Sequence, residues 1–233
     1  MAEAASDDEI IRKGDELYDA SEWQPLFDLF YPHRESSNPD VLWRVTRAIE
    51  CVTSPKMKKA EKKKLHYEAY ECAKKALDMA PDNWGCHQQY GITLLVIGEY
   101  EGSKAQILNL NTAKEHFLKS IELNPKDALS HHLIGQWCFE IANMSWVERK
   151  LASTLFATPP TSSFEEALEH FNLAEQKDPG FYCENQTMLG KTHLKMGNKD
   201  EAKKWCTKAL ELKILHPDDE KAQDEARKVL RSL

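Results

Sequence analysis

One recurring spacing constrains this chain more than any other feature. A small residue is followed after three positions by an apolar one, after two more by a second small residue, and after four more by proline. The copies are Ala69, Ala73, Ala76, Pro81; then Ala113, Phe117, Ser120, Pro125; then Ala167, Phe171, Ala174, Pro179. A fourth, Ala202, Cys206, Ala209, has its proline late, at Pro217. An aliphatic or aromatic residue followed by glycine precedes three of them, as Tyr90-Gly91, Ile134-Gly135 and Leu189-Gly190, and Ala48, near Trp43, takes the glycine's place in the first. Glycines are few and prolines fall between apolar-periodic stretches, so helices joined by short turns are expected.

Each copy reads as two antiparallel helices. Small residues let the pair's backbones approach, an aromatic fills the gap to the next pair, and proline stops the second helix. One pair cannot bury its own apolar face, so stacking must supply the core. Gly190 and Ala202 stand twelve positions apart, the tetratricopeptide spacing, but Gly91 and Ala113 stand ten positions further apart than that, and Gly135 and Ala167 twenty. The expected fold is all-α: one tetratricopeptide-like helix-pair superhelix over 1–233, with insertions in the second and third repeats. Its parts are an N-terminal helix pair (6–31), repeat 1 (39–81), repeat 2 with an insertion (82–125), repeat 3 with an insertion (127–179), repeat 4 (181–217) and a capping helix (218–233). Ser6-Asp-Asp-Glu9 is a capping box, and Asn38-Pro39 and Ser54-Pro55 each place a cap before a first-turn proline.

No stretch reaches the ~18 apolar residues of a membrane-spanning helix, and the acidic N-terminus is unlike a signal or transit peptide. No transmembrane segment and a cytoplasmic location are therefore expected. The six cysteines are scattered, without C-x-x-C or a helically spaced histidine pair, and read as buried free thiols with no metal. No nucleophile elbow, phosphate loop or zinc-protease helix occurs, so neither an enzyme nor a cofactor is expected.

In a helix-pair stack the first helix of each pair lines the concave face. The groove candidates are Leu42, Val45, Ile49 and Val52; Gln88, Ile92, Leu95 and Val96; Leu129, His132, Gln136 and Phe139; and Thr187, Lys191, Leu194 and Lys195. Most are apolar. Gripping a peptide carboxylate takes clustered cationic donors, and only Lys191 and Lys195 offer these, so an apolar tenant is expected. The tenant has two candidates. One is a ligand. The other is the chain's own insertion, 142–161, in which Trp146, Val147, Leu151, Leu155 and Phe156 form an apolar stripe opposite Glu148, Arg149 and Lys150.

The densest charge is Lys56, Lys58, Lys59, Lys62, Lys63 and Lys64, six lysines in nine residues. They read either as a solvated helix start or as the contact for an acidic partner: tubulin's tails, anionic lipid or an import receptor. No aromatics interleave them, which argues against nucleic acid. The chain's net charge is −7, all of it accounted for by its first fifty residues, where twelve Asp and Glu face five Lys and Arg.

Several stretches are more specific than the repeat. Trp137-Cys-Phe-Glu-Ile-Ala-Asn-Met-Ser-Trp146, Leu155-Phe-Ala-Thr-Pro-Pro160, Phe164-Glu-Glu-Ala-Leu168, Gly98-Glu-Tyr-Glu-Gly102 and Ile121-Glu-Leu-Asn-Pro-Lys-Asp127 resemble the regulator of microtubule dynamics family, a likeness running from about Ile10 onward. The resemblance implies a soluble tetratricopeptide protein that associates with microtubules and spindle poles, through tubulin or a spindle protein, and supports chromosome segregation. It also implies an alternative, since a membrane-anchored relative carries phospholipid in its repeat groove. The longer relatives' N-terminal hydrophobic segment has no counterpart in this sequence.

Overall fold

The computed structural model describes residues 6–53, 57–156, 158–216 and 218–233. They fall into two compact units, Met1–Asn109 and Leu110–Leu233. Among the described residues all regular structure is helical.

The first unit holds α1 (Asp7–Asp19), α2 (Trp23–Phe30), a 3-10 turn (Tyr31–His33), α3 (Pro39–Val52), α4 (Lys59–Met79) and α5 (Trp84–Glu101). Ser6 and Glu9 form the capping box of α1, and Asn38 caps α3 ahead of Pro39. Ser54 and Pro55 lie outside the described residues. α3 packs against α1, α2, α4 and α5, so nearly all its faces are covered, and Val41, Leu42, Val45, Thr46, Ala48 and Ile49 are fully buried. The Thr46 hydroxyl lies within hydrogen-bonding distance of both the Leu42 and Ala69 carbonyls, at 3.3 and 3.2 Å, which settles a buried polar atom. The α1–α3 contact is fastened by Asp15, whose carboxylate accepts bonds from Arg44 at 2.8 Å and Arg47 at 2.7 Å. The guanidiniums lie over Trp43 and Tyr18, 4.0 and 3.9 Å from the ring centroids. Burial pushes the Asp15 carboxyl up, but the bonds and charges of the two arginines outweigh it and hold it below its ordinary value.

The second unit holds α7 (Ala128–Asn143), α8 (Trp146–Leu155), α9 (Phe164–Lys177), α10 (Cys183–Lys195), α11 (Lys199–Glu211) and α12 (Asp219–Ser232), while α6 (Ser103–Leu123) carries the boundary between the units. α7 packs with α9, α10 with α11, and α12 against both α10 and α11. All four copies of the repeat signature are fully buried at their small and apolar positions. The glycines explain the tight approach. A Cβ at Gly135 would meet the Phe171 ring at 2.6 Å, and one at Gly190 would fall on the Cys206 sulfur and within 3.2 Å of the Ala202 carbonyl. The aromatic therefore fills space inside its own pair, between α7 and α9, rather than the gap to the next pair. Trp43 on α3, against Gly85 on α5, does bridge successive pairs.

The insertions are spent differently. The ten extra residues between Gly91 and Ala113 form no separate element: α5 runs 18 residues and α6 21, with Gly102 alone between them. Its φ of +92° favours glycine there. The twenty-residue insertion supplies α8, started by a capping box of Ser145 and Glu148. All six cysteines are buried and free, and burial raises the thiols, to about 12 at Cys51 and Cys86.

Candidate functional site

A cleft of about 370 Å³ opens in the second unit between α7, α10 and α12. α7 contributes Gln136 and Glu140; α10 contributes Glu184, Thr187, Met188 and Lys191; α12 and its cap contribute Asp218, Lys221, Ala222 and Glu225. Four carboxylates thus face two ammonium groups. Glu184 is already oriented, accepting bonds from the Gln136 amide at 3.1 Å and the Tyr182 hydroxyl at 3.1 Å. Lys191 reaches Glu225 only at 3.8 Å. Glu140 has high surface accessibility, yet the cleft walls desolvate its carboxyl and raise its pKa; Lys191 opposes this while Glu148 and Glu184 add to it.

This chemistry corrects the expected apolar groove in this unit. Of the candidates here, Gln136, Thr187 and Lys191 line the cleft. His132 and Phe139 are buried at 1% and 3% exposure, so they serve the core. His132 bonds the Asn185 side chain at 3.0 Å and packs against Tyr182 and Phe171. Leu129 is half-buried, Leu194 packs against the α10–α12 core, and Lys195 is exposed. Glu140, Glu184, Met188 and the α12 residues were missed, although Gln136/Glu140 and Glu184/Thr187/Met188/Lys191 share helical spacing. In α12, Asp218, Lys221, Ala222 and Glu225 repeat it, but a terminal helix reads as a cap rather than a wall.

In the first unit, Leu42, Val45 and Ile49 are corrected for a different reason: α3 is enclosed, and all three have zero exposure. Gln88 is buried as well. Val52, Ile92, Leu95 and Val96 are half-buried and remain an apolar set on α3 and α5. α8 supplies no lining residue to the cleft. Trp146 and Val147 are 72% and 67% exposed, Leu151, Leu155 and Phe156 are half-buried, and only Ala152 is sealed. Of the two tenants considered, the insertion thus supplies no lining to this cleft: α8 seals Ala152, which shares helical spacing with the half-buried Leu155 and Phe156, while Trp146 and Val147 at its start stay exposed.

The basic run forms the start of α4. Lys58 is its N-cap without a side-chain cap bond, and Lys58, Lys59, Lys63 and Lys64 are exposed while Lys62 is half-buried. Lys56 lies outside the described residues. Lys64 sits 3.7 Å from Glu68, and the Lys63 ammonium lies over Tyr67 and Tyr100, 5.6 and 5.5 Å from their centroids. Lys58, Lys59 and Lys62 have no carboxylate within 4.0 Å among the described residues.

The family profile described as Regulator of microtubule dynamics protein 1-3 matches residues 10–233. The chain belongs to this family. Regulator of microtubule dynamics protein 1 of Bos taurus is 45% identical over 225 residues, covering 96% of this chain and 71% of that protein. The Homo sapiens protein of the same name is 47% identical over 191 residues, 82% of this chain and 61% of its own length. Among solved structures, a thermophilic TPR protein of Thermus thermophilus superposes with a TM-score of 0.62 at 19% identity, over 97% of this chain and all of that one. That likeness establishes an all-α tetratricopeptide fold for this family member. Among the stretches that carried the family resemblance, Trp137–Trp146 spans the second half of α7 and the start of α8.

Proposed function

We propose that this family member is a non-enzymatic interaction protein of the microtubule system, working in the cytoplasm at microtubules and spindle poles and supporting chromosome segregation. The family membership supports the microtubule role. The observation that carries a direct contact is the start of α4, where Lys58, Lys59 and Lys62 have no carboxylate partner among the described residues. Lysines in a first helical turn oppose the helix dipole, at about 0.3–1 kcal/mol each, and Glu61 is the only acidic residue in that turn. An acidic, flexible tubulin tail would relieve that repulsion. Single surface ion pairs are worth about 0–1 kcal/mol, so the affinity must come from several lysines acting together. The chain's net charge of −7 makes long-range attraction to tubulin unfavourable, so the contact depends on this local surface.

The test is co-sedimentation with microtubules at rising salt. Binding should weaken as the screening length falls, and should be largely lost when Lys58, Lys59, Lys62 and Lys63 become Glu with helical content unchanged. Pelleting that survives the quadruple change would refute the α4 contact.

A second reading, a phospholipid-binding or lipid-transfer module, is favoured by one observation: the half-buried apolar set Val52, Ile92, Leu95 and Val96. Gently purified protein should then carry phospholipid detectable by mass spectrometry, and Ile92→Asp should abolish it, since an unpaired carboxylate is costly in an apolar cleft. Protein free of lipid would end this reading.

A further inference from the structure

We propose that the cleft between α7, α10 and α12 is a docking site for a short basic peptide segment, whose Lys or Arg side chains are received by Glu140 and Glu184. The inference is independent of the α4 contact and concerns a partner of opposite charge.

The cleft is pre-formed. α12 is fixed against the unit by groups other than the charges that face the cleft. The Gln223 amide donates to the Ala209 and Leu212 carbonyls at 3.2 and 2.9 Å, and the Thr187 hydroxyl donates to the Ala222 carbonyl at 3.2 Å. Asp219 accepts from the Leu215 and His216 backbone amides at 2.9 and 2.7 Å. A wall held this way loses little entropy on binding. The nearly buried Met188 and Ala222 give the lining an apolar portion suited to the aliphatic stem of Lys or Arg.

Two of the lining carboxylates, Glu140 and Glu184, are left over from folding, whereas Glu225 is already paired with Lys228 and lies 3.8 Å from Lys191. Glu140 accepts no hydrogen bond and makes no ion pair among the described residues. Glu184 is aimed by two neutral donors rather than by a cation. Unneutralised carboxylates gathered in a half-enclosed space repel one another, and a guanidinium or ammonium among them relieves that repulsion. Burial is the first cause that raises the Glu140 carboxyl, and Glu148 and Glu184 add to it against the pull of Lys191.

The same geometry narrows the ligand class. Among the described residues no three His, Cys, Asp or Glu side chains converge as a metal site, so the carboxylates are too dispersed to chelate one ion. An anion would meet excess negative charge, and a lipid tail would have to desolvate six charged groups. A bare polyamine would be repelled by Lys191 and Lys221. A peptide places its cations on the carboxylates and its carbonyl oxygens near those two ammonium groups.

The probe is a fluorescein-labelled heptapeptide alternating Arg or Lys with Ala, with a counterpart in which every cation is Glu, titrated by anisotropy into the full chain. The basic peptide should bind and the acidic one should not. Glu140→Lys should weaken binding about tenfold or more, with the melting temperature verified, because Glu140 is an exposed position on α7. Glu71→Lys with Glu99→Lys, an even larger charge change at exposed sites in the other unit, should leave the affinity within about twofold. Absence of binding, equal loss in both variants, or displacement by an equimolar amount of spermidine would each overturn the proposal. Amide shifts on peptide addition confined to α7, α10 and α12 would support it.

Discussion

In the first unit the central helix, α3, is wrapped on nearly every side, and the polar groups that fasten it are matched pairs: two arginines on Asp15 and the Thr46 hydroxyl beside two carbonyls. In the second unit the first helices of successive pairs, α7 and α10, remain open on one side and line a charged cleft with α12. The same contrast appears inside the pairs. The first copy of the repeat sets Ala73 on α4, with Ala48 at the glycine position of α3, both fully buried. The third sets Phe171 into the space above Gly135. These two pairs thus reach the same close packing by small-with-small in one case and large-on-glycine in the other, and the first unit uses the second arrangement elsewhere, with Phe30 over Gly14 and Trp43 over Gly85. A repeat signature specifies the combined volume at a contact, not which residue supplies it.

The largest effect should come from breaking the large-on-glycine pair. Phe171→Ala removes a ring with zero exposure and should cost about 3–5 kcal/mol. Gly135→Ala alone should cost roughly 1–3 kcal/mol, because its Cβ would press on that ring. Together they recreate the alanine pair of the first unit, so Gly135→Ala should become neutral or stabilising in the Phe171→Ala background. Thermal melts of the four proteins give the coupling; additive effects would mean that ring and glycine do not share the space.

The signature residues were legible because their burial depends on contacts within one helix pair, and a fixed spacing encodes that directly. Caps were legible for the same reason at Ser6 and Asn38. The fate of an insertion was not. Ten residues can become a loop or lengthen two helices, and Gly102 alone does not distinguish these. The groove positions on α3 were misread because α1 and α2, which precede the repeats, cover it. The cleft was hidden because one wall comes from α12, brought beside α10 by tertiary contacts such as the Thr187 hydroxyl to the Ala222 carbonyl. The exposed Trp146 runs against its hydrophobicity, and its neighbour Lys150, 5.0 Å from the ring centroid, accounts for only part of its surface.

The units should also separate on acidification. In the second unit His131, His132, His170, His193 and His216 all have pKa values lowered, in each case first by burial. His131 and His170 stack with centroids 5.9 Å apart, so each opposes the other's charge. Lys177 adds to this at His131, and Lys114 at His170. Carboxylates oppose it: Asp127 at His131, Glu166 and Glu169 at His170, and Asp218, Asp219 and Glu184 at His216. The net direction is downward at all five. A histidine depressed in the folded state contributes stability that is complete above its unfolded pKa of about 6.5 and is lost as pH falls toward its folded value. Hydrogen exchange at pH 7.5 and 5.5, corrected for intrinsic rates, should therefore show weakened protection in α7, α9 and α10 and little change in α3. Uniform weakening across both units would break the contrast.

The smallest effect sharpens the comparison most, because stability and binding should move in opposite directions. Lys59 is the first residue of α4, exposed and without a carboxylate partner among the described residues. At a helix N-terminus a cation faces the positive end of the dipole, and an anion is favoured there by about 0.3–1 kcal/mol. Lys59→Glu should thus raise the melting temperature slightly, by about 1–3 °C for a chain of this size, while reducing microtubule pelleting in proportion to one lost cation. The same change at an exposed lysine near a helix C-terminus, Lys208→Glu on α11, should lower the melting temperature by a similar amount, because there the dipole favours the cation. It should leave pelleting unchanged. If Lys59→Glu destabilises the protein instead, the lysines are engaged in folding, and the argument that their charge is free for an acidic partner fails. If it stabilises without affecting pelleting, the repulsion is real but the partner binds elsewhere.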